Sequence, residues 1–110
     1  MRYNVKITPS ALLQISETVA YISTVLAAPE TALAWADLLE KEIAGLSTMP
    51  ARFPTLEEEP WKSRGLRKMP VKNFIVYYYA DDETKTVWVT AVIYGKRDQL
   101  NALREIPEVE

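Results

Sequence analysis

The first quarter of the chain changes from an alternating pattern to a helical one. Residues 2–7 alternate polar and apolar side chains, which is typical of a short strand. Thr8 and Pro9 follow, and these residue types suit the N-cap and the first turn of a helix. The pattern therefore predicts a helix over about residues 9–27, with apolar residues at helical spacing: Leu12, Ile15, Val19, Ile22 and Leu26.

A second amphipathic helix follows after a short break. Pro29 and Glu30 favour a helix start, because a carboxylate there stabilises the positive end of the helix dipole. The apolar stripe of this second helix is formed by Ala32, Trp35, Leu39, Ile43 and Leu46. Because the connection is short, we expect an antiparallel helical hairpin. Its predicted core residues are Leu12, Ile15, Val19, Ile22, Trp35, Leu39 and Ile43.

The second half of the chain has the two-residue period of strands. Residues 47–63 contain three prolines and three consecutive glutamates and are predicted to form a loop. Strands are expected over about 65–71, 73–80 and 86–94, followed by a helical turn through Leu103 and a frayed tail over 104–110. In the last strand, strict alternation places Val87, Val89, Ala91 and Ile93 on one face and Trp88, Thr90, Val92 and Tyr94 on the other.

The element order β-α-α-β-β-β predicts a single α+β domain over residues 1–110. Both helical stripes must be buried, and a sheet face is the only surface available to them. We therefore expect an N-terminal strand and an antiparallel helical hairpin packed on one face of a small, mainly antiparallel four-stranded sheet. The other face, open or half-open, is the expected place for function, with Trp88 and Tyr94 on it.

The composition limits the chemistry available to the chain. It contains no cysteine and no histidine, which excludes disulfides, thiolate zinc sites and the commonest general base. The acidic run 57–59 has no histidine in register, so neither a metal nor a cofactor is predicted. No stretch is apolar enough to span a membrane, and the N-terminus lacks the apolar run of a signal peptide. We expect a cytoplasmic protein that does not contact membranes.

Charge is unevenly distributed along the chain. Residues 11–60 carry eight acidic and two basic side chains, whereas residues 61–80 carry five basic side chains and no acidic one. A basic segment in an acidic chain is a candidate site for an anionic partner. A solvated basic face is the equally simple alternative, and charge alone does not separate the two.

Four segments, taken in order, carry a resemblance to a known family. They are Tyr3-x-Val5-x-Ile7-Thr8-x-x-Ala11; Pro29-Glu30-x-Ala32 with Leu46-x-x-x-Pro50; Gly65-Leu66-Arg67-Lys68-Met69 with Asn73-Phe74-x-Val76-Tyr77-Tyr78; and Val92-Ile93-Tyr94-Gly95-Lys96-Arg97-Asp98. Together they span nearly the whole chain and resemble the RelE/ParE toxins. The resemblance implies the toxin of a type II toxin–antitoxin module, with a RelE-like fold and a cognate antitoxin as partner. It also implies that operator DNA is contacted only through the antitoxin.

The family divides by target, and its shared fold does not separate the two groups. ParE-like members inhibit DNA gyrase, whereas RelE-like members enter the ribosome and cut mRNA. The resemblance places Lys68 and Arg97 on two catalytic positions of the nucleases, with Tyr94 as a further candidate. Their other catalytic positions are occupied here by Leu66, Ile75 and Leu103. RNA cleavage needs groups that move protons and stabilise charge, so these apolar residues favour a ParE-like gyrase inhibitor, with an mRNA endonuclease as the alternative.

The candidate contact residues are mostly basic. The set expected to bind the target or the antitoxin is Arg67, Lys68, Lys72, Tyr94, Lys96 and Arg97. For Arg97, the alternative is a salt bridge to a neighbour such as Asp98 or Glu105. Arg67 and Lys68 are adjacent on a predicted strand, so their side chains should point to opposite faces and are not expected to share a role.

Overall fold

The computed structural model describes residues 2–106, which form four strands and four helices. The elements are β1 (Asn4–Ile7), α1 (Pro9–Ala20), α2 (Pro29–Ala44), α3 (Trp61–Arg64), β2 (Arg67–Val71), β3 (Phe74–Asp81), β4 (Thr86–Tyr94) and α4 (Gln99–Arg104). A π-helical turn, Tyr21–Val25, continues α1, and short 3-10 turns lie at Gly45–Ser47 and Pro50–Arg52. The predicted order of the four strands and the two long helices is confirmed, but residues 47–63, predicted as a loop, contain a 3-10 turn and the start of α3.

The four strands form one sheet in the order β1-β4-β3-β2. The N-terminal strand β1 is parallel to β4, and the other two pairs are antiparallel. The sheet is therefore mainly antiparallel, as predicted. Its parallel pair is possible because the helical hairpin provides the long crossover that parallel strands require.

The helical hairpin packs on one face of the sheet. The Thr8 hydroxyl accepts a hydrogen bond from the Ala11 amide (3.3 Å), so the predicted cap starts α1. Trp35, Leu39 and Ile43 of α2 are buried against the sheet. The full buried cluster on this face consists of Ala11, Trp35, Leu39, Ile43, Leu46, Met69, Val71, Val76, Tyr78, Val87, Val89 and Val92.

The prediction that Leu12 belongs to this core is wrong. Its side chain is 52% exposed, whereas Ala11 is fully buried and contributes to the cluster. Ile15, Val19 and Ile22 pack against the same cluster, and together with Ala11 they continue one helical stripe. Apolar spacing alone selected the large Leu12, but the small Ala11 is the residue of this turn that is buried in the cluster.

The second face of the sheet is partly covered rather than open. Helix α4 and residues 56–66 bury a second cluster, which consists of Leu56, Trp61, Leu66, Tyr77, Ala91, Ile93, Ala102 and Leu103. The predicted frayed tail starts inside this covering layer, because Arg104 ends α4 and Ile106 packs against the cluster. The rest of that predicted tail, residues 107–110, lies outside the described residues.

A β-bulge reverses the alternation within β4. Tyr77 pairs with Ala91 and Tyr78 pairs with Val89, so Thr90 is an extra residue on β4. Before the bulge Val89 faces the hairpin, and after it Ala91 faces the second cluster. The predicted grouping of Ala91 and Ile93 with Val87 and Val89 is therefore wrong. Tyr94 consequently faces the hairpin side and not the second face.

None of the helices within residues 2–106 combines the length and the apolar character needed to cross a membrane.

Candidate functional site

Two chain turns meet at one end of the sheet. The turn between β2 and β3 contains Lys72 and Asn73, and the turn after β4 contains Gly95, Lys96 and Arg97. The Gly95 amide donates a hydrogen bond to the Asn73 carbonyl (2.7 Å), which ties the turns together. Lys72 and Lys96 consequently line one pocket of about 330 Å³. Two cationic side chains that are far apart in the sequence are thus neighbours in the fold.

Tyr94 connects these cations to the aromatic part of the core. Its ring centroid lies 5.5 Å from that of Phe74, its partner across the β3–β4 pair. The Phe74 ring in turn lies 4.8 Å from that of Trp35 on α2. Tyr94 remains 43% exposed, so an aromatic surface is presented between the cationic turns and the hairpin.

A groove of about 820 Å³ runs between the hairpin and the end of β4. It exists because β1 pairs only with Thr86–Val89 of β4, which leaves the last residues of β4 without a strand neighbour on that side. We call it the sheet-end groove. Its apolar lining includes Tyr21, Ile22, Leu26, Phe74, Val92 and Tyr94, and its charged lining residues are Glu17 and Arg97.

At the floor of the groove, the Gln14 side chain provides a hydrogen-bond acceptor that a neighbouring strand would otherwise provide to β4. Its side-chain carbonyl accepts a hydrogen bond from the Val92 amide at 2.8 Å. This bond satisfies a strand amide that β1 is too short to reach. Sequence reasoning did not identify Gln14, Ile22 or Leu26 as site residues, because they follow from where β1 ends and not from any local motif.

Arg97 is held in the exposed turn beside the groove. Its backbone amide donates to the Tyr94 carbonyl (3.0 Å), and its guanidinium pairs with the Glu105 carboxylate (3.4 Å). The salt bridge that the sequence offered as an alternative role is therefore formed. Both side chains are more than half exposed, so this pair contributes little stability and leaves the guanidinium accessible.

The Arg67 side chain holds a neighbouring segment of the backbone in place. Its guanidinium donates hydrogen bonds to the carbonyl oxygens of Ala51 (3.3 Å) and Phe53. The buried hydroxyl of Tyr78, the residue opposite Arg67, donates to the carbonyl of Pro50. Together these side chains hold the segment around the second 3-10 turn against the β2–β3 pair, away from the two cationic turns.

Lys68 lies on the opposite face of β2, as its adjacency to Arg67 predicted. It is exposed and pairs in register with Tyr77, a member of the second cluster. Tyr77 is three residues along β3 from Phe74, a separation of about 10 Å at the rise of a strand. Tyr94 lies beside Phe74 at the base of the Arg97 turn. Lys68 therefore lies on the other face of the sheet and further along the strands than Tyr94.

The six predicted contact residues thus divide into two groups. Lys72, Tyr94, Lys96 and Arg97 come together at the end of the sheet, and we call these four the cationic cluster. Arg67 and Lys68 lie outside it. The three apolar positions singled out in the sequence, Leu66, Ile75 and Leu103, all pack in or against the second cluster. Within residues 2–106, no group of three or more His, Cys, Asp or Glu side chains is arranged to hold a metal ion.

Solved structures from toxin–antitoxin systems share this architecture. The chain is similar to a chain of the chromosomal ParDE toxin–antitoxin system of P. aeruginosa, with a TM-score of 0.68 and 17% identity over 84% of this chain and 96% of that one. It is similar to a chain of the RelBE2 toxin–antitoxin complex of Mycobacterium tuberculosis, with a TM-score of 0.61 and 22% identity over 86% and 99%. A mutant of the E. coli toxin RelE in the free state gives a TM-score of 0.57 and 18% identity over 93% of each chain.

These likenesses establish the fold, and the sequence establishes the family. Residues 5–99 match a family described as the ParE toxin of the type II toxin–antitoxin system parDE. Because the match spans most of the 110 residues, the chain belongs to this toxin family. No curated protein matches its sequence.

Proposed function

We propose that this toxin arrests growth by binding a protein, with DNA gyrase as its target, and that a cognate antitoxin neutralises it. The observation that carries the proposal is that Lys68 lies on the second face of the sheet, opposite Tyr77, whereas Arg97 lines the sheet-end groove on the hairpin side. A nuclease of this family would need both side chains at one scissile phosphate. Here Lys68 is on the second face of the sheet, and Arg97 belongs to the cationic cluster beside the sheet-end groove.

The surroundings of Lys68 add to this argument. Acid–base catalysis requires donors and acceptors within hydrogen-bond reach of the reacting atoms. Leu66 and Leu103, which stand at two positions where nuclease members carry polar groups, are buried in the second cluster. Burial raises the pKa of the nearby Tyr77 phenol to about 12, with a smaller contribution from the Glu58 carboxylate, so this hydroxyl stays protonated at neutral pH. Such surroundings provide packing and no proton relay.

The cationic cluster and the sheet-end groove suit a protein ligand. The groove is lined mainly by apolar side chains and by Arg97, and Lys72 and Lys96 line the adjacent pocket, which shares Phe74 and Tyr94 with it. An apolar surface with charge at its rim is typical of protein interfaces, in which apolar contacts provide affinity and charges provide orientation. We propose that antitoxin and target compete for this surface, which would explain neutralisation by simple exclusion.

The complexes among the similar structures support an antitoxin partner. Both the ParDE and the RelBE2 relatives are described as toxin–antitoxin assemblies. An antitoxin segment with apolar and acidic side chains would match the sheet-end groove and the cationic cluster. We expect operator DNA to be bound through the antitoxin only and the complex to act in the cytoplasm.

A growth experiment tests the toxin assignment. Expression of the chain alone should arrest bacterial growth, and co-expression of the adjacent small gene should restore it. Expression must be confirmed as soluble protein in both cases. Normal growth at high soluble expression would contradict the assignment.

A paired biochemical assay tests the target. Purified toxin should inhibit supercoiling by DNA gyrase, and mRNA from induced cells should show no new ribosome-dependent cuts. Arg97→Ala should weaken the inhibition about tenfold or more, since it removes a charge from the binding surface. Lys41→Ala removes an equivalent charge from the exposed face of α2 and serves as the matched control. Clean mRNA cuts that disappear in Arg97→Ala would instead establish the endonuclease.

A further inference from the structure

The side-chain amide of Gln99 bridges the Arg97 turn and the interior of the second cluster. Its carbonyl oxygen accepts a hydrogen bond from the Tyr77 hydroxyl at 2.8 Å. Its amino group donates to the carbonyl oxygens of Tyr94 (2.7 Å) and Arg97 (2.9 Å). The amide orientation is unambiguous, because the reverse orientation would direct an oxygen at two carbonyl oxygens.

Tyr77 is a rigid anchor for this bridge. It is 2% exposed, lies in the second cluster and belongs to the central strand β3. Its hydroxyl is the only polar atom of a side chain otherwise packed among apolar residues, and Gln99 satisfies that hydroxyl. The bridge therefore extends from one of the most buried side chains to a turn whose residues are all exposed.

The two carbonyls that Gln99 binds lie on either side of Lys96 along the chain. One belongs to Tyr94, before Lys96, and the other belongs to Arg97 itself. The Gly95 amide is tied separately to Asn73, so residues 94–97 are held from both sides of the sheet end. By comparison, the exposed Arg97–Glu105 pair is a weak constraint.

We infer that Gln99 is a positioning residue of this toxin and that, anchored by Tyr77, it pre-organises the turn that presents Lys96 and Arg97 to a protein ligand. The inference rests on the proposed function for the role of Arg97 in binding. A pre-formed turn loses less conformational freedom when it binds than a mobile one does. Gln99 then contributes to affinity although its own amide is occupied within the protein.

Hydrogen exchange tests the positioning itself. The Arg97 amide is bonded to the Tyr94 carbonyl, so its exchange reports how well the turn is held. In Gln99→Leu this amide should exchange at least about tenfold faster, while the Ile93 amide within β4 is unchanged. Gln99→Glu keeps an acceptor for Tyr77 but loses both donors, so it should behave like Gln99→Leu. Unchanged exchange at Arg97 in both variants would overturn the inference.

A double-mutant comparison tests whether Gln99 affects gyrase inhibition through the turn that carries Arg97. Gln99→Leu should weaken gyrase inhibition about tenfold, as expected for loss of about 1.4 kcal/mol of binding free energy. Added to Arg97→Ala, it should cause a clearly smaller loss than it does alone, because the part of its effect that passes through Arg97 is already lost and only the part through Lys96 remains. Fully additive losses would overturn the inference. Asn101→Ala on the same helix removes contacts to Asp98 and Arg104 and is the control, expected to leave inhibition unchanged.

The two proposals fail in different ways. If Arg97→Ala leaves inhibition intact, the assignment of Arg97 to the binding surface is wrong. The exchange experiment then still decides whether Gln99 holds the turn. Chemical denaturation of each variant separates a local change in the turn from a general loss of stability.

Discussion

The backbone amide of Gly95 lies 2.7 Å from the carbonyl oxygen of Asn73 and donates a hydrogen bond to it. This bond joins the turn after β4 to the turn before β3, and the cationic cluster forms around it. A Cβ atom at position 95 would lie 3.0 Å from the same oxygen, which is tighter than ordinary van der Waals contact. Glycine is therefore required here for close approach of two backbones.

Gly95→Ala should lower the free energy of unfolding by about 1–3 kcal/mol, as overpacking against rigid backbone does. Chemical denaturation measures this loss. Gly45→Ala is the matched control, because its Cβ would lie 3.5 Å from the flexible end of Arg52 and its backbone φ of −62° is helical. We expect the control to be neutral or to gain about 0.4–1 kcal/mol. Equal losses in the two variants would contradict the steric explanation.

Trp35→Ala should destabilise the protein by about 3–5 kcal/mol, because it empties a large buried volume between α2 and the sheet. Leu12→Ala on the adjacent helix should cost less than about 1 kcal/mol, since Leu12 is half exposed. The midpoints of chemical denaturation at constant m-value give both numbers. Similar losses at the two positions would show that the hairpin is rotated relative to the arrangement described.

The stabilities of Arg67→Ala and Lys68→Ala should differ, because Arg67 holds backbone carbonyls whereas Lys68 is an exposed side chain. Arg67→Ala leaves the carbonyls of Ala51 and Phe53 without their donor, so the stability should fall by about 1–3 kcal/mol. Lys68→Ala removes an exposed side chain and should change stability by less than about 0.5 kcal/mol. Denaturation curves of the two variants provide the comparison. A larger loss at Lys68 would be incompatible with its exposed placement.

Tyr77 should make stability dependent on alkaline pH. Its pKa is raised from the ordinary 10.0 to about 12, first by burial and then by the Glu58 carboxylate. The folded protein therefore holds this proton more tightly than the unfolded chain. The contribution is fully present below about pH 10 and is lost as pH rises from about 10 to about 12. Tyr77→Phe should flatten the fall in stability across this window.

The slope that remains in Tyr77→Phe has a second source. Burial also raises the pKa of Tyr78, whose contribution is unaffected by the substitution. Unfolding measured between pH 9 and pH 12 for wild type and variant isolates the Tyr77 part. Identical slopes would show that Tyr77 ionises equally well in the folded and unfolded chains.

The sequence alone determined the elements whose causes are local. Thr8 and Pro9 start α1, Pro29 starts α2, and the strand predicted over residues 86–94 has the same bounds as β4. Each signal lies within a few residues of the element that it specifies, and the buried stripe of α2 follows from helical spacing alone. The order of these elements was enough to predict the α+β architecture, and the motifs along the chain were enough to predict the family.

Only the tertiary structure decided which predicted contact residues lie together. The Thr90 bulge moves Tyr94 to the hairpin side, and the short β1 leaves the sheet-end groove open. Arg67 bonds to backbone carbonyls around the second 3-10 turn, and Gln99 bonds to Tyr77 more than twenty residues away. The physical reason is that strand parity and strand length depend on pairing with distant segments. The periodicity of a sequence reflects only residues a few positions apart along the chain. Contacts between distant segments therefore follow only from the folded structure.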